Sequence, residues 1–340
     1  MIYRSKAPLR IGLAGGGTDV SPYSDQYGGA ILNATISLSA YATLENLPGN
    51  KIIVQALDRG EMQDFEWAEE LPVDGYLDLL KGVYNCVRRD YKIPKEGFQL
   101  STFVDAPAGS GLGTSSTLVV AILGAFAEKY NLPLRDYALA HYAYDIERKY
   151  LQLAGGKQDQ YAATFGGVNF MEFYENDKVI VNPLRIRPEY LHELENNLVL
   201  YFTATSRESA TIITAQVKNV REKNEKSIEA MHQLKEQARM MKEALLKGQL
   251  NKLGELFDFG FRQKREMAAN ISNINIETIY DAAKMAGATG GKISGAGGGG
   301  FMVFYCPVNT RHAVIRALKT FGGEVKKYCF VNYGLTTWKT

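Results

Sequence analysis

The segment with the clearest chemical content in this 340-residue chain is Pro107-Ala108-Gly109-Ser110-Gly111-Leu112-Gly113-Thr114-Ser115-Ser116. It follows a strand-like alternation at Phe98, Leu100, Thr102 and Val104. It ends where apolar residues begin to recur at helical spacing, at Leu118, Val119, Ile122, Leu123 and Phe126. Glycines let a backbone wrap closely around a bulky group, and the first N–H groups of a helix have no partner inside it. Those are the requirements of a phosphate cradle, with the helix dipole adding attraction for the anion. The hydroxyls of Thr114, Ser115 and Ser116 are placed to reach Mg²⁺ beside such a phosphate. There is no Gly-Lys-Ser/Thr, and the spacing of Gly109, Gly111 and Gly113 does not fit a dinucleotide-binding turn, which removes a nicotinamide oxidoreductase. The blander alternative is a loop whose Thr or Ser caps the helix.

A second segment, Gly290 to Gly300, carries Lys292 and packs five glycines into the six positions from Gly295. It reads as a glycine-rich turn before the apolar strand Phe301 to Cys306. Two such segments in separate halves point to a ligand held between domains. A third glycine-rich loop runs from Pro8 to Asp19. Phosphoryl transfer also needs an acid/base group near the acceptor hydroxyl and positive charge on the transition state. Gly155-Gly156-Lys157-Gln158-Asp159-Gln160-Tyr161 offers a carboxylate after a Gly-Gly break, although an isolated Asp is more often a helix cap or solvated. None of His141, His192, His232 and His312 stands in a metal or triad spacing.

These segments need elements to position them. Ile36, Leu38, Ala40, Ala42 and Leu44 alternate as a half-buried strand, and Val168 to Phe173 and Leu198 to Phe202 are apolar runs of strand length. A helix is predicted from about Asp136 to Leu151. From Arg207 to about Arg265 charged residues dominate, with Ile228, Met231, Leu234, Ala238, Met241 and Leu245 on one helical stripe. That stripe either packs within the chain or forms the face of a homodimer. At this length two domains fit better than one, with the boundary near 190–205, drawn as 1–195 and 196–340.

Lys+Arg number 39 against 37 Asp+Glu, a net charge of +2, and 46% of residues are hydrophobic against 22% charged. A near-neutral globular chain gives no electrostatic reason for a nucleic-acid or membrane partner. Three cysteines without C-x-x-C spacing make neither a disulfide framework nor a zinc site. The longest apolar stretch, Leu118 to Ala127, is about half a membrane span, and the N-terminus has no apolar leader pattern, so a cytoplasmic protein is expected.

In order and separation, the three glycine-rich segments resemble the three motifs of the GHMP kinase superfamily, the group of galactokinase, homoserine kinase, mevalonate kinase and phosphomevalonate kinase. The middle one is close to that group's Pro-x-x-x-Gly-Leu-Gly-Ser-Ser-Ala, with Thr114 in the first serine place and Ser116 where alanine is usual. The resemblance implies an α+β, two-domain GHMP kinase fold, with an N-terminal domain like ribosomal protein S5 domain 2 and a ferredoxin-like C-terminal domain. It implies ATP and Mg²⁺ bound at Pro107, Gly109, Ser110, Gly111, Leu112, Gly113, Thr114, Ser115 and Ser116. Gly-x-x-Asp-Gln is similar to the segment bearing the catalytic aspartate in galactokinases and mevalonate kinases, so Asp159 becomes the expected general base. Arg10 takes the basic place of the first motif, where it keeps Asp159 ionised and offsets charge on the phosphoryl group. Glu147 resembles the glutamate that ligates Mg²⁺ with a loop serine, here Ser115, although it also fits a solvated helix charge.

The first segment matches the galactokinase motif at Ala7, Pro8, Arg10, Leu13, Gly15, Thr18 and Asp19. It has Gly16 and Gly17 where galactokinases carry a Glu-His pair around the sugar, which argues against galactose. It most closely resembles the D-glycero-D-manno-heptose 7-phosphate kinases, with fucokinase domains next. That family phosphorylates the anomeric C1 hydroxyl on the way to GDP-heptose for surface polysaccharides. A sugar-phosphate acceptor is then expected at Gly16, Gly17, Thr18, Asp19 and Gly297, with Lys157, Arg207 and Lys292 as cations for its phosphate and Lys6 a further neighbour. Arg207 lies in a capping-box pattern, Thr205 to Glu208. A free-sugar kinase of fucokinase type and a non-catalytic sugar sensor on the same fold stay open.

Overall fold

A computed structural model describes residues 1–205 and 209–340. Strands β1 (Ile2–Ala14) and β2 (Gly29–Leu47) are its antiparallel spine, paired from Ile2 with Glu45 to Ala14 with Leu32. The ladder shifts register between Pro8, opposite Ser39, and Arg10, opposite Thr35. Proline has no N–H to give the ladder, and the chain bulges there. At the bulge the N–H of Arg10 donates to the carbonyl of Leu112 at 3.2 Å. The first glycine-rich segment is thus strand as far as Ala14 and turn only beyond it, where the sequence reading has a loop from Pro8.

Strands β3 (Lys51–Ala56), β4 (Glu61–Glu66) and β5 (Gly97–Val104) extend this sheet in the order β1-β2-β5-β3-β4, with β3 parallel to β5. Strands β6 (Val168–Phe173) and β7 (Val179–Pro183) attach to the first half of β2. Helices α1 (Tyr23–Tyr27), α2 (Asp78–Tyr91), α3 (Thr114–Tyr130), α4 (Asp136–Asp145), α5 (Gln158–Phe165) and α6 (Pro188–Asn197) complete the first half. Residues Val119 to Phe126 of α3 are all buried, as expected of a helix apolar on every side. Helix α4 continues as one π-helical turn, Ile146–Tyr150, so the helical run does reach Leu151. Such turns concentrate at functional sites, and this one carries Glu147.

The second sheet contains β8 (Leu198–Phe202), β9 (Gly290–Ile293), β10 (Phe301–Tyr305) and β11 (Glu324–Lys326) in the antiparallel order β11-β8-β10-β9. Between β8 and β9 run α7 (Ser209–Arg221), α8 (Glu225–Leu246), α9 (Asn251–Met267) and α10 (Ile274–Met285), and α11 (Arg311–Lys319) joins β10 to β11. This is a ferredoxin-like topology with an enlarged first crossover. Gly290 to Ile293 form a strand, not the turn expected from their composition. A Cβ on Gly290 would overlap the carbonyl of Gly254 in α9, and one on Gly291 would lie 2.6 Å from the Phe304 ring, so glycine there lets helix and strand pack closely.

The stripe of α8 packs within the chain. Ala238, Met241 and Leu245 share a core with Leu9, Ile11 and Leu13 of β1, while Met231 and Leu234 pack with Phe261 of α9. The two sheets fall on either side of residues 195 and 196. The last strand, β12 (Thr336–Lys339), nevertheless returns to pair with β1. The cysteines are free, and no helix among the described residues is long and apolar enough to cross a membrane. Met241→Ala should lower stability by roughly 2–5 kcal/mol, whereas the exposed neighbour Met240→Ala should change it by less than about 0.5 kcal/mol. Thermal melts of the two variants test this, and equal losses would place the stripe elsewhere.

Candidate active site

A cleft of about 570 Å³ runs between the two halves. Its wall at the start of α3 is formed by Gly109, Gly111, Gly113, Thr114, Ser115 and Ser116. Gly113 is the N-cap of α3, with φ 77°, and no side chain caps this helix. The Thr and Ser residues are therefore inside the first turn rather than capping it, and their N–H groups have no partner within the helix. The loop is held from the second half: Ser294 Oγ donates to Gly111 O at 2.9 Å, and Phe301 N–H donates to Ser110 O at 2.8 Å. Gly111 has φ 83°, and a Cβ there would lie 2.5 Å from Ser294 O, so this approach requires glycine. Pro107, Ser110 and Leu112 build the loop rather than line the cleft. Pro107 accepts from Ser110 N–H at 3.2 Å, and Leu112 is buried in the core beneath.

Arg10 and Asp159 meet beside this loop. Arg10 donates to Asp159 Oδ1 from Nε at 2.7 Å and from a terminal nitrogen at 2.6 Å, and its other terminal nitrogen donates to Gly111 O at 2.7 Å. Arg10 is buried, while the Asp159 side chain keeps 22% of its surface open to the cleft. No described residue donates to its Oδ2. The carboxyl carbon would lie 3.0 Å from a Cβ on Gly113, which places the acid at the mouth of the cradle.

Glu147 is fully buried, not solvated. Gln160 Nε2 bridges Glu147 Oε2 to Ser116 Oγ, so the serine that stands in the usual alanine place ties α3 to the glutamate. Glu147 Oε1 has no hydrogen-bond partner among the described residues, and the Arg148 guanidinium lies 3.6 Å from it. Ser115 is exposed and faces the cleft. A carboxylate and a hydroxyl are oxygen donors of the kind Mg²⁺ takes, although Ser115 lines the cleft while Glu147 is buried behind it beside Arg148.

At the far end, Asp19 is buried and its Oδ2 accepts from the N–H groups of Lys157 at 2.9 Å and Gln158 at 3.0 Å. It thereby satisfies the start of α5 and fixes the backbone that presents Asp159. Burial pushes its carboxyl above the usual range, against the Gln158 N–H bond that lowers it. Gly16 and Gly17 line the cleft with it. Four expected acceptor contacts lie elsewhere. Thr18 spends its hydroxyl on Gly15 O and Ala30 O, closing the turn. Lys157 turns away from the cleft, its ammonium 3.2 Å from both Asp25 and Asp177. Gly297 packs against Ile271, where a Cβ would lie 2.8 Å from the carbonyl. Lys6 reaches the hydroxyl of Tyr333. Arg207 and the Glu208 of its capping box fall outside the described residues.

Lys292 does face the cleft, and the structure adds Lys264 beside it. Each ammonium donates to a carbonyl, Lys292 to Gly12 at 2.6 Å and Lys264 to Gly295 at 2.7 Å. Neither has a carboxylate at ion-pair distance among the described residues, although both are over nine-tenths buried. Burial lowers Lys264 to about 8, and burial with the charges of Lys264 and Arg10 puts Lys292 well below the ordinary lysine range. The sequence carries a signal for Lys264, since it sits on the stripe Leu253, Phe257, Phe261 and Met267 that α9 buries.

Residues 78–167 match the family described as GHMP kinases N terminal domain, and residues 241–324 match GHMP kinases C terminal. The chain is 46% identical over 336 residues to a D-glycero-alpha-D-manno-heptose 7-phosphate kinase of Campylobacter jejuni, covering 99% of this chain and 98% of that one. A crystal structure of a D-glycero-D-manno-heptose 1-phosphate kinase from Bacteroides thetaiotaomicron superposes with a TM-score of 0.85 at 46% identity, covering 99% of each chain. An L-fucokinase/L-fucose-1-P guanylyltransferase of Bacteroides fragilis is 26% identical over 342 residues, covering 92% of this chain and 35% of that one.

The depressed Lys264 has a measurable consequence. In the unfolded chain it titrates near 10.5, in the folded chain near 8. Between those values the unfolded state binds more protons, so this contribution to stability rises with pH, and the cost of the buried charge is full below about 8. Lys264→Met should therefore melt higher than the parent at pH 7, with the difference shrinking between pH 8 and 10.5. A lower melting point at pH 7 would mean that the bond to Gly295 outweighs the burial cost.

Proposed function

This chain belongs to the GHMP kinase family, and we propose that it transfers the γ-phosphoryl group of ATP to the anomeric C1 hydroxyl of D-glycero-D-manno-heptose 7-phosphate, giving the 1,7-bisphosphate and ADP. The observation that carries the acceptor is the pair Lys264 and Lys292. Both side chains are buried in the cleft that Asp159 enters, each is bonded only to a carbonyl among the described residues, and burial disfavours their charged forms until an anion stands beside them. Buried charge persists where a ligand of opposite sign completes it, and a phosphorylated sugar does so. The name of the Campylobacter relative, at 46% identity over the full length, supports the same acceptor. Gly16 and Gly17 offer no Glu-His pair for galactose.

In this mechanism the triphosphate lies along the glycine loop, with the uncapped N–H groups of Thr114, Ser115 and Ser116 turned to its oxygens. The acceptor hydroxyl gives its proton to Asp159 Oδ2, the oxygen that Arg10 leaves free. Its oxygen bonds to the γ-phosphorus as the bond to the β-phosphate oxygen breaks, and ADP leaves. Arg10 orients the aspartate and places positive charge beside the transferring group. Ser115 and Glu147 would hold Mg²⁺, whose charge offsets that of the phosphates. Asp159→Asn keeps the shape and removes the proton acceptor, so kcat should fall by about 10²–10⁴-fold with ATP affinity unchanged. Steady-state kinetics with a nucleotide-binding titration test this, and near-parental turnover would remove Asp159 from the role. Ser115→Ala should raise the Mg²⁺ concentration needed for half-maximal rate, and an unaltered Mg²⁺ dependence would remove that ligand.

A further inference from the structure

The glycines at the acceptor end look onto side chains from four other elements. A Cβ on Gly12 would stand 3.8 Å from both Gln158 Oε1 of α5 and Lys292 Nζ of β9. One on Gly16 would be 3.6 Å from Lys264 Nζ of α9, and one on Gly17 would be 2.5 Å from the Met267 methyl of α9 and 3.5 Å from Gln216 Oε1 of α7. The first motif is thus a bare floor, and the polar groups it lacks arrive from above it. Two of these are primary amides whose side chains make no hydrogen bond among the described residues. Gln216 is 2% exposed with Nε2 buried and unpartnered, Gln158 has Oε1 buried and unpartnered, and both line the cleft.

Buried amide groups left unpaired are expensive, and the ones retained at a cleft are completed by what binds there. The chemistry of the missing partner is constrained. A phosphate dianion or a carboxylate only accepts, so neither satisfies the carbonyl oxygen of Gln158, which requires a donor. A hydroxyl both donates and accepts, and so serves Gln158 and Gln216 alike. Resting on the sugar-phosphate reading above, we propose that Gln158 and Gln216 grip hydroxyls of the sugar ring, one amide from each half of the chain, and set the preference for a polyhydroxylated acceptor. Lys264 and Lys292 take the anion and the amides read the ring.

The test uses Gln158→Leu and Gln216→Leu, which keep bulk and remove the amide. Because neither amide has a partner among the described residues, both variants should melt no lower than the parent; a purely structural role predicts a lower melting point. With heptose 7-phosphate the KM should rise about tenfold to a hundredfold, with the KM for ATP unchanged. Among monodeoxy analogues of the acceptor, the one lacking the gripped hydroxyl should reduce the parent to the level of the variant and cost the variant nothing further. An unchanged acceptor KM in both variants, or a fall in activity that tracks a fall in melting point, overturns the proposal. The parent is assayed first, on heptose 7-phosphate and on free heptose and fucose. Turnover of a free sugar alone discards the heptose 7-phosphate reading, and the two variants are then judged on that sugar by the same criteria. A parent that phosphorylates no sugar overturns both.

Discussion

Arg10 is the constraint on which the rest of the site depends. Its guanidinium joins Asp159 to the carbonyl of Gly111, and its own N–H holds the carbonyl of Leu112. One side chain thereby ties the spine strand to the phosphate loop and to the segment that carries the acid. It reaches both because Pro8 interrupts the β1–β2 ladder and the register shifts at that point. The second half closes the arrangement from the other side, through Ser294 and Phe301 on the same loop. The loop is thus held in place by contacts within the protein itself, as electrostatic preorganisation requires.

Charge is distributed unevenly along the cleft. Near the cradle, attraction for the anion comes from backbone N–H groups and the start of α3, together with Arg10. At the other end of the cleft stand Lys264 and Lys292, each paired only with a carbonyl among the described residues. Asp19 faces them yet spends one oxygen on two backbone N–H groups at α5. Its role is to hold the segment of Asp159 in place, and a Cβ on Gly156 would overlap its carboxylate, so the Gly-Gly break before Asp159 is also explained by packing.

Much of this was legible in the sequence because it depends on local pattern. The phosphate loop lies between an alternating strand and an apolar helix, and the stripe of α8 follows helical spacing. The pairing of Asp159 with Arg10 came from family resemblance, since nothing local links residues so far apart. Other features depend on contacts between distant segments and left no local mark. Gly290 to Ile293 read as a turn by composition, but they pair with β10 as a strand, and the close approach of α9 is what calls for glycine at Gly290. Lys157 adjoins the motif in sequence, but its side chain is claimed by Asp25 and Asp177. Lys264 went unread although it interrupts an apolar stripe, because a lysine among buried positions is informative only once the facing elements are known.

The relatives carry two names that place the existing phosphate of the acceptor at different ends of the sugar, C7 in one and C1 in the other. The most direct test of the account is ADP release by the unaltered protein with Mg²⁺ and ATP, comparing heptose 7-phosphate, heptose 1-phosphate and unphosphorylated heptose side by side. Phosphate held by Lys264 and Lys292 while the C1 hydroxyl faces Asp159 predicts efficient turnover of the 7-phosphate alone. Turnover of the 1-phosphate, or equal turnover of unphosphorylated heptose, would contradict it.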